Sequence, residues 1–369
     1  MRVSSLNSFM EDEEYVKSYA NIRVGLRNFK DLQYFGTLYL GSARQELNLV
    51  YDTGSSWLWV PTKLCKGCPT ENRYDTESSE FYNETDTIIE LFYGRGHVIG
   101  NLAYDLVSLL SVKVKPVLLR MLLINEAEDF QGTQADGILG LSPEPKSGSE
   151  SLVIKMAEEN VIDSAQFTVY IGSSEETSYV EFGQHKGGLE NVTWISLTDT
   201  SYWMVYLNEF SYKNQRIPIQ TTKAILDTGS SIIGLPSVDL KSVIDYLIED
   251  RDLFYLDDIG YYGVECDNVN EFYDLKIKIG RHVTRISSND YVLKLDEYCI
   301  FFFFDLGTKI NFILLGDTYL KGKQVIHDVE NKRVGLFPQR LYYPPNDYYP
   351  GISKTMIIII ISIIIVLLG

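Results

Sequence analysis

Short apolar runs stopped by turn residues dominate the pattern of this chain. Leu49-Val50-Tyr51 and Ile225-Leu226 each end on an Asp-Thr-Gly turn, and a second apolar run follows each, closed by Pro61 or Pro236. That pattern predicts a buried strand, a tight turn and another buried strand. Cys299 to Phe304 reads as a further buried strand. Apolar residues at i, i+3 and i+4 occur in two short stretches, Leu152 to Glu159 and Val238 to Ile248, which predict helices. With 26 Tyr and 17 Phe, strands are favoured elsewhere. The predicted class is all-β with a few short helices.

The two Asp-Thr-Gly segments are copies of one another. Asp52 to Pro61 and Asp227 to Pro236 share six of ten positions without a gap, including Asp-Thr-Gly-Ser-Ser and the Pro. A second pair recurs at matching distance: Ile138-Leu139-Gly140 ends 88 residues after Asp52, and Leu314-Leu315-Gly316 ends 89 after Asp227. A single Asp-Thr-Gly is a weak signal. Two in register with a second repeat predict a duplicated lobe, with Asp52 and Asp227 brought together on a pseudo-two-fold axis.

Composition narrows the class of partner. At 369 residues the chain exceeds what one core usually organises, which agrees with two lobes. Lys plus Arg number 33 against 50 Asp plus Glu, for a net charge of −17. That argues against nucleic acid, because phosphate binding needs a basic face, and it suits an acidic compartment. A content of 45% hydrophobic and 13% aromatic residues excludes disorder.

Four cysteines allow three pairings, and local pairing of Cys65 with Cys68 and of Cys266 with Cys299 is the most economical. Free thiols, half a zinc site or a redox pair are the competing readings of Cys65-x-x-Cys68. Zinc would need a second ligand pair, whereas His97, His185, His282 and His327 are scattered singly. A redox motif would open a helix, whereas Gly67 and Pro69 mark a loop. Asn83-Glu84-Thr85 and Asn191-Val192-Thr193 are acceptor triplets for glycosylation in a secretory compartment.

The ends of the chain carry a different signal. Met356 to Gly369 is uncharged and almost wholly apolar. As a helix it spans ~21 Å against a hydrocarbon core of ~30 Å, so a strained spanning helix and a lipid-anchor signal are both open. The expectation is attachment to a membrane by the tail. Met1 to Ala20 has no apolar run of signal-peptide length and includes Glu11-Asp12-Glu13-Glu14, so either the natural start lies upstream, the favoured expectation, or the protein enters the membrane by its tail alone.

These motifs together resemble the pepsin/cathepsin D family of eukaryotic aspartic endopeptidases over residues 22–340. Asn28 to Gly36 is similar to the first mature strand of that family, and Tyr93-Gly94-Arg95-Gly96 to its flap, ahead of Gly100-Asn101 and Asp105. Asp136 to Leu141, Leu315-Gly316-Asp317, His327-Asp328 and Asn331 to Leu336 resemble further family blocks, and Cys266 and Cys299 fall where it has a disulfide. The Cys65-Cys68 loop is shorter than usual, an extra small disulfide before Asp227 is absent, and Arg95 and His97 stand at flap-tip positions that are usually small or uncharged. No basic inhibitory pro-segment is visible within residues 1–21. The organisation implied is an N-terminal segment (1–21) read as a truncated pro-region, lobes at 22–195 and 196–340, a linker at 341–355 and the tail at 356–369.

The resemblance implies a bilobal pepsin-like fold and acid-pH cleavage of polypeptides by a monomer needing no cofactor or metal, in the secretory or endolysosomal pathway or at the cell surface. Its cleft would tend to prefer hydrophobic residues. Asp52 and Asp227 would be the catalytic pair, sharing one proton, a behaviour for which aspartic-protease dyads are the type case. One would activate water and the other would hydrogen-bond the scissile carbonyl. Thr53 and Thr228 would bond across the lobes, Gly54 and Gly229 would admit close backbone approach, and Ser55 and Ser230 would donate to the carboxylates. Tyr93 and Gly94 would form the flap, with Trp59 as the partner of Tyr93. Asp317 and Asp328 are expected in local turns or caps. Two rival functions are a catalytically silent binding fold and a two-carboxylate glycosidase. The first would be expected to lose an Asp, a Gly or the flap Tyr, and the second has no use for the duplicated loop.

Overall fold

The computed structural model describes residues 21–338 apart from 95, 112–113, 131, 173–176 and 257–259. The N-terminal segment, Arg95, the linker and the apolar tail of the sequence reading therefore lie outside the described residues. Among the described residues, no helix is long and apolar enough to cross a membrane.

The strand Gln45–Asp52 runs parallel to Gly137–Gly140, with Asp52 opposite Gly140. Gly137–Gly140 pairs antiparallel with Leu58–Lys66, which runs parallel to Val117–Glu128. The second half repeats this order. Lys223–Leu226 is parallel to Ile313–Leu315, which is antiparallel to Ile233–Leu235, itself parallel to Phe303–Asp305. Each Asp-Thr-Gly loop thus connects two strands that flank a third.

These strands are buried on both faces, which is why they read as apolar runs and not as alternations. Leu49, Tyr51 and Leu139, with Leu226, Ile313 and Leu315, join one large core. Their neighbours point the other way: Val50 and Ile138 into a cluster with Trp57, Trp59 and Phe130, and Ile225 and Leu314 into one with Met204, Ile232 and Phe312. The glycine ending each φφG strand allows the close approach of the preceding loop. A Cβ on Gly140 would lie 2.5 Å from the backbone of Ser56 and Trp57.

A six-stranded antiparallel layer joins the halves, in the order Thr193–Ser196, Arg333–Leu336, Lys323–Asp328, Gln166–Ile171, Ser178–Phe182 and Ile22–Phe29. Its midline pairs Val169 with Val325 and Phe167 with His327. Under this seam the His327 ring stacks on Phe167 at 4.6 Å and meets Trp203 edge-on at 4.7 Å.

Both predicted helices are present, as Leu152–Glu158 and Ser237–Ile248. The first is capped by the Ser151 hydroxyl, which accepts from the Ile154 N–H. Leu240, Val243, Ile244 and Leu247 form the buried stripe of the second. Two short helices, Ser288–Tyr291 and Asp317–Leu320, carried no such spacing. The expected single strand from Cys299 to Phe304 is instead two, Tyr298–Phe301 and Phe303–Asp305, which enter different sheets. The break falls at Phe302, whose N–H bonds the Tyr291 carbonyl (2.8 Å) outside either ladder.

Candidate active site

The repeat places Asp52 and Asp227 at the ends of their strands with no exposed surface. Their loops are tied together by a crossed set of hydrogen bonds. The Thr53 hydroxyl donates to the Leu226 carbonyl (2.9 Å), and the Thr228 hydroxyl donates to the Tyr51 carbonyl (2.5 Å). Each threonine oxygen also accepts the other's backbone N–H, from Thr228 at 3.0 Å and from Thr53 at 3.1 Å. Six groups on two loops, two hydroxyls, two carbonyls and two N–H groups, are thereby satisfied where the threonines are almost fully buried.

That clamp forces the loops past each other. The Gly54 N–H donates to Asp52 Oδ1 and the Gly229 N–H to Asp227 Oδ1, each at 2.8 Å. A Cβ on Gly54 would stand 2.5 Å from the Asp227 carboxyl, and one on Gly229 would collide with Asp52. Only glycine lets the two carboxyls face each other here. Oδ2 of each aspartate is buried with no hydrogen bond from another group.

The electrostatics separate the two carboxyls. Burial raises both above the usual carboxylate range. For Asp52, the dipole of the buried Ser55 hydroxyl, which makes no hydrogen bond to the carboxylate and so departs from its expected role, and the Gly54 N–H pull back toward the anion. For Asp227, the Asp52 charge pushes further up and Asp317 adds to it. The pair therefore shares one proton and titrates as a unit, with Asp227 raised further than Asp52. This asymmetry could not be read from two identical pentapeptides. Part of it lies in Ser230, whose expected role does not match its placement: its hydroxyl is directed to the Ile232 carbonyl (3.5 Å) and not to Asp227.

Tyr93 closes the site from the other side. The hairpin of Asn83–Phe92 and His97–Ser108 pairs Phe92 with His97, and beyond that pair the Tyr93 N–H bonds the Gly96 carbonyl (3.0 Å). The Tyr93 ring meets Phe130 edge-on at 5.7 Å, and Phe130 meets Trp59 at 5.5 Å. Burial and then the Asp52 charge hold the Tyr93 phenol far above its ordinary range, which places it within the field of Asp52. Trp59 is 1% exposed and packs in the cluster beneath. Gly94 is exposed at the turn. His97 is the first strand residue beyond the turn, paired with Phe92 and near Glu90 (3.7 Å) and Glu128 (3.5 Å).

Cys65 and Cys68 are joined, as are Cys266 and Cys299, which leaves no thiol of the first pair for zinc, and Cys65 lies in the strand Leu58–Lys66 with no helix opening at Cys68, unlike a redox pair. Among the described residues, no cluster of three or more His, Cys, Asp and Glu is placed to hold a metal ion. Asn83 and Asn191 are both exposed, far from the paired loops in sequence. Asp328 holds a turn through the Asn331 N–H (3.0 Å) and Arg333 (2.8 Å), as expected. Asp317 opens a short helix but is also 4% exposed, and it acts on Asp227.

Several site neighbours gave no local signal. Trp203 Nε1 donates to the Leu141 carbonyl (2.8 Å), the residue after the first φφG strand. Phe130 bridges Trp59 and Tyr93, and Tyr202 feels the charge of both aspartates.

Paired loops of this kind on a duplicated β fold define an aspartic-type hydrolase, and comparison with known proteins agrees. Residues 33–339 match the eukaryotic aspartyl protease family. Pepsin A of Gallus gallus is 29% identical over 324 residues, covering 85% of this chain and 86% of the relative. Pepsin A of Canis lupus familiaris is 27% identical over 326 residues, covering 85% and 83%. Vacuolar protease A of Arthroderma otae is 28% identical over 340 residues, covering 88% and 83%. The chain belongs to the eukaryotic aspartyl proteases, an aspartic endopeptidase of pepsin-like fold that acts on polypeptides.

Proposed function

We propose that Asp52 and Asp227 cleave the peptide bond by activating a water molecule between them. The observation that carries this reading is the pair of buried Oδ2 atoms with no other hydrogen bond, held face to face by the threonine clamp. Ionised Asp52 takes a proton from the water, whose oxygen attacks the scissile carbonyl carbon. Protonated Asp227 hydrogen-bonds the carbonyl oxygen and stabilises the tetrahedral intermediate. Collapse of that intermediate expels the amine, which leaves with a proton from the pair. Gly54 and Ser55 steady the Asp52 anion, Gly229 steadies Asp227, and Tyr93 with Gly94 shields the cleft as substrate binds.

The pair needs one shared proton, and burial raises both carboxyls, so that proton is held through the acid range. The net charge of −17 and the vacuolar name of one relative support an acidic compartment in the secretory or endolysosomal pathway or at the cell surface. Attachment to a membrane through Met356 to Gly369 is part of the proposal, as are a monomeric state, lobes at 22–195 and 196–340 with the site on their seam, and glycans at Asn83 and Asn191. A silent binding fold is disfavoured because both aspartates, both glycines and Tyr93 are present together. Incubation with denatured haemoglobin or casein at pH 3–5 tests the reading. Cleavage blocked by pepstatin supports it, and cleavage indifferent to pepstatin contradicts it.

A further inference from the structure

The loop that leaves Gly137–Gly140 begins at the first aspartate itself. The Leu141 N–H bonds the Asp52 carbonyl (2.7 Å) and the Ser142 N–H bonds the Ser55 carbonyl (2.9 Å). Further along, Glu144 pairs with Lys332 (2.7 Å), and Arg120 donates to the Gly148 carbonyl (2.6 Å). The Lys146 N–H bonds the Ser149 hydroxyl (2.9 Å). These ties set the Lys146 ammonium 3.3 Å from the centroid of the Tyr202 ring. Tyr202 in turn packs on Met204, Ile225, Ile232, Phe312 and Leu314, the cluster on the strands beside Asp227. Its neighbour Trp203 is bonded to Leu141 across the seam. A positive charge on a half-buried lysine therefore rests on the ring that lies within the field of both Asp52 and Asp227.

The charge is incompletely answered by the protein. The carboxylate whose field reaches Lys146 is Asp199. Asp199 already accepts the Ser201 N–H (2.7 Å) and is shared with Lys223. Glu144 is committed to Lys332 and hydrogen-bonds Thr200. A cation lying on an aromatic face uses that face on one side only, which leaves N–H donors for a group entering the cleft.

We propose that Lys146, braced on Tyr202, is a specificity-determining residue that receives the carboxylate of an aspartate or glutamate side chain in the polypeptide substrate, close to the scissile bond. The proposal rests on Asp52 and Asp227 being the catalytic pair. Burial lowers Lys146 only to about 8, so it is charged throughout the acid range. A substrate carboxyl ionises near ~4. The preference should accordingly be weak at pH 3 and strong at pH 5.5.

The test uses the full chain and peptides that share one cleavable apolar core, with Ala, Glu or Lys placed in turn at three positions on each side of the bond. The readout is the ratio of kcat/KM for Glu and Ala peptides within each variant, so a general loss of activity cancels. Wild type at pH 5.5 is expected to favour Glu about fivefold at one position. Lys146→Met should bring the ratio to about one, Lys146→Glu should favour the Lys peptide, and at pH 3 the wild-type ratio should approach one. Cleavage of the Ala peptides with no Glu preference at any position, or a preference that Lys146→Met retains, overturns this proposal alone. No cleavage of any peptide by the wild type overturns the dyad reading and this proposal with it.

Discussion

Thr53 and Thr228 hold each other's loops: each hydroxyl donates to a carbonyl of the opposite loop and accepts its partner's N–H. Both are almost fully buried, so the carbonyls of Leu226 and Tyr51 have no water to turn to. Replacing either hydroxyl strands a buried carbonyl and frees the loops that present the carboxyls. Thr53→Val is expected to cost about 1–3 kcal/mol in denaturant unfolding and to lower activity, whereas Thr53→Ser, which keeps the hydroxyl, should cost less than half of that. Equal losses for Val and Ser would mean that the methyl packing matters and the clamp does not.

His327 makes stability depend on pH. It is 1% exposed, and burial depresses its imidazole to about 3, with a weaker opposing pull from the Val325 backbone. The unfolded chain binds a proton near ~6.5 that the folded chain refuses until pH 3. Stability is therefore lost as pH falls from 6.5 toward 3, by up to a few kcal/mol. His327→Phe keeps a flat ring on Phe167 and removes the titration. Thermal scans should show the variant gaining on wild type at pH 3.5 and matching it at pH 7.5; an equal offset at both values would point to packing alone.

The two disulfides close loops of different size. Cys266 and Cys299 are 33 apart in sequence, and Cys65 and Cys68 are 3 apart. Loop-closure entropy gives about 4 kcal/mol for the first and about 2 kcal/mol for the second. Unfolding of Cys266→Ser/Cys299→Ser and of Cys65→Ser/Cys68→Ser should show the larger loss in the former.

The Asp52 and Asp227 loops were legible because what makes them work is local. The glycine that admits the opposite carboxyl, the threonine of the clamp and the apolar strand on either side all fall within ten residues. The two longer helices were legible for the same reason, each showing its buried stripe directly. The break at Phe302 was hidden, since four consecutive Phe look alike until Tyr291 takes one N–H out of the ladder. Ser230 looked equivalent to Ser55 until the Ile232 carbonyl drew its hydroxyl away from Asp227. Phe130, Trp203, and Lys146 on Tyr202 meet partners that are distant in sequence and carry no motif, and only the tertiary arrangement brings them in.

The charge asymmetry of the pair shapes activity against pH. Asp52 must be ionised and Asp227 protonated, so kcat/KM should fall at low pH as Asp52 gains a proton and at high pH as Asp227 loses one. Ser55→Ala removes a group that favours the Asp52 anion. Its Asp52 pKa rises, so the acid limb should move to higher pH while the alkaline limb changes less. A shift of the acid limb in the other direction would contradict the asymmetry.

The central claim is most directly tested by the turnover of Asp52→Asn and Asp227→Asn, each purified as the full chain and shown to be folded by its unfolding transition. Asparagine keeps the size of the side chain while removing both the ionisable proton and the charge. With denatured haemoglobin at the wild-type pH optimum, each variant is predicted to lose at least about a thousandfold in kcat. Activity within tenfold of wild type in either variant would contradict the assignment of the two carboxyls as the catalytic pair.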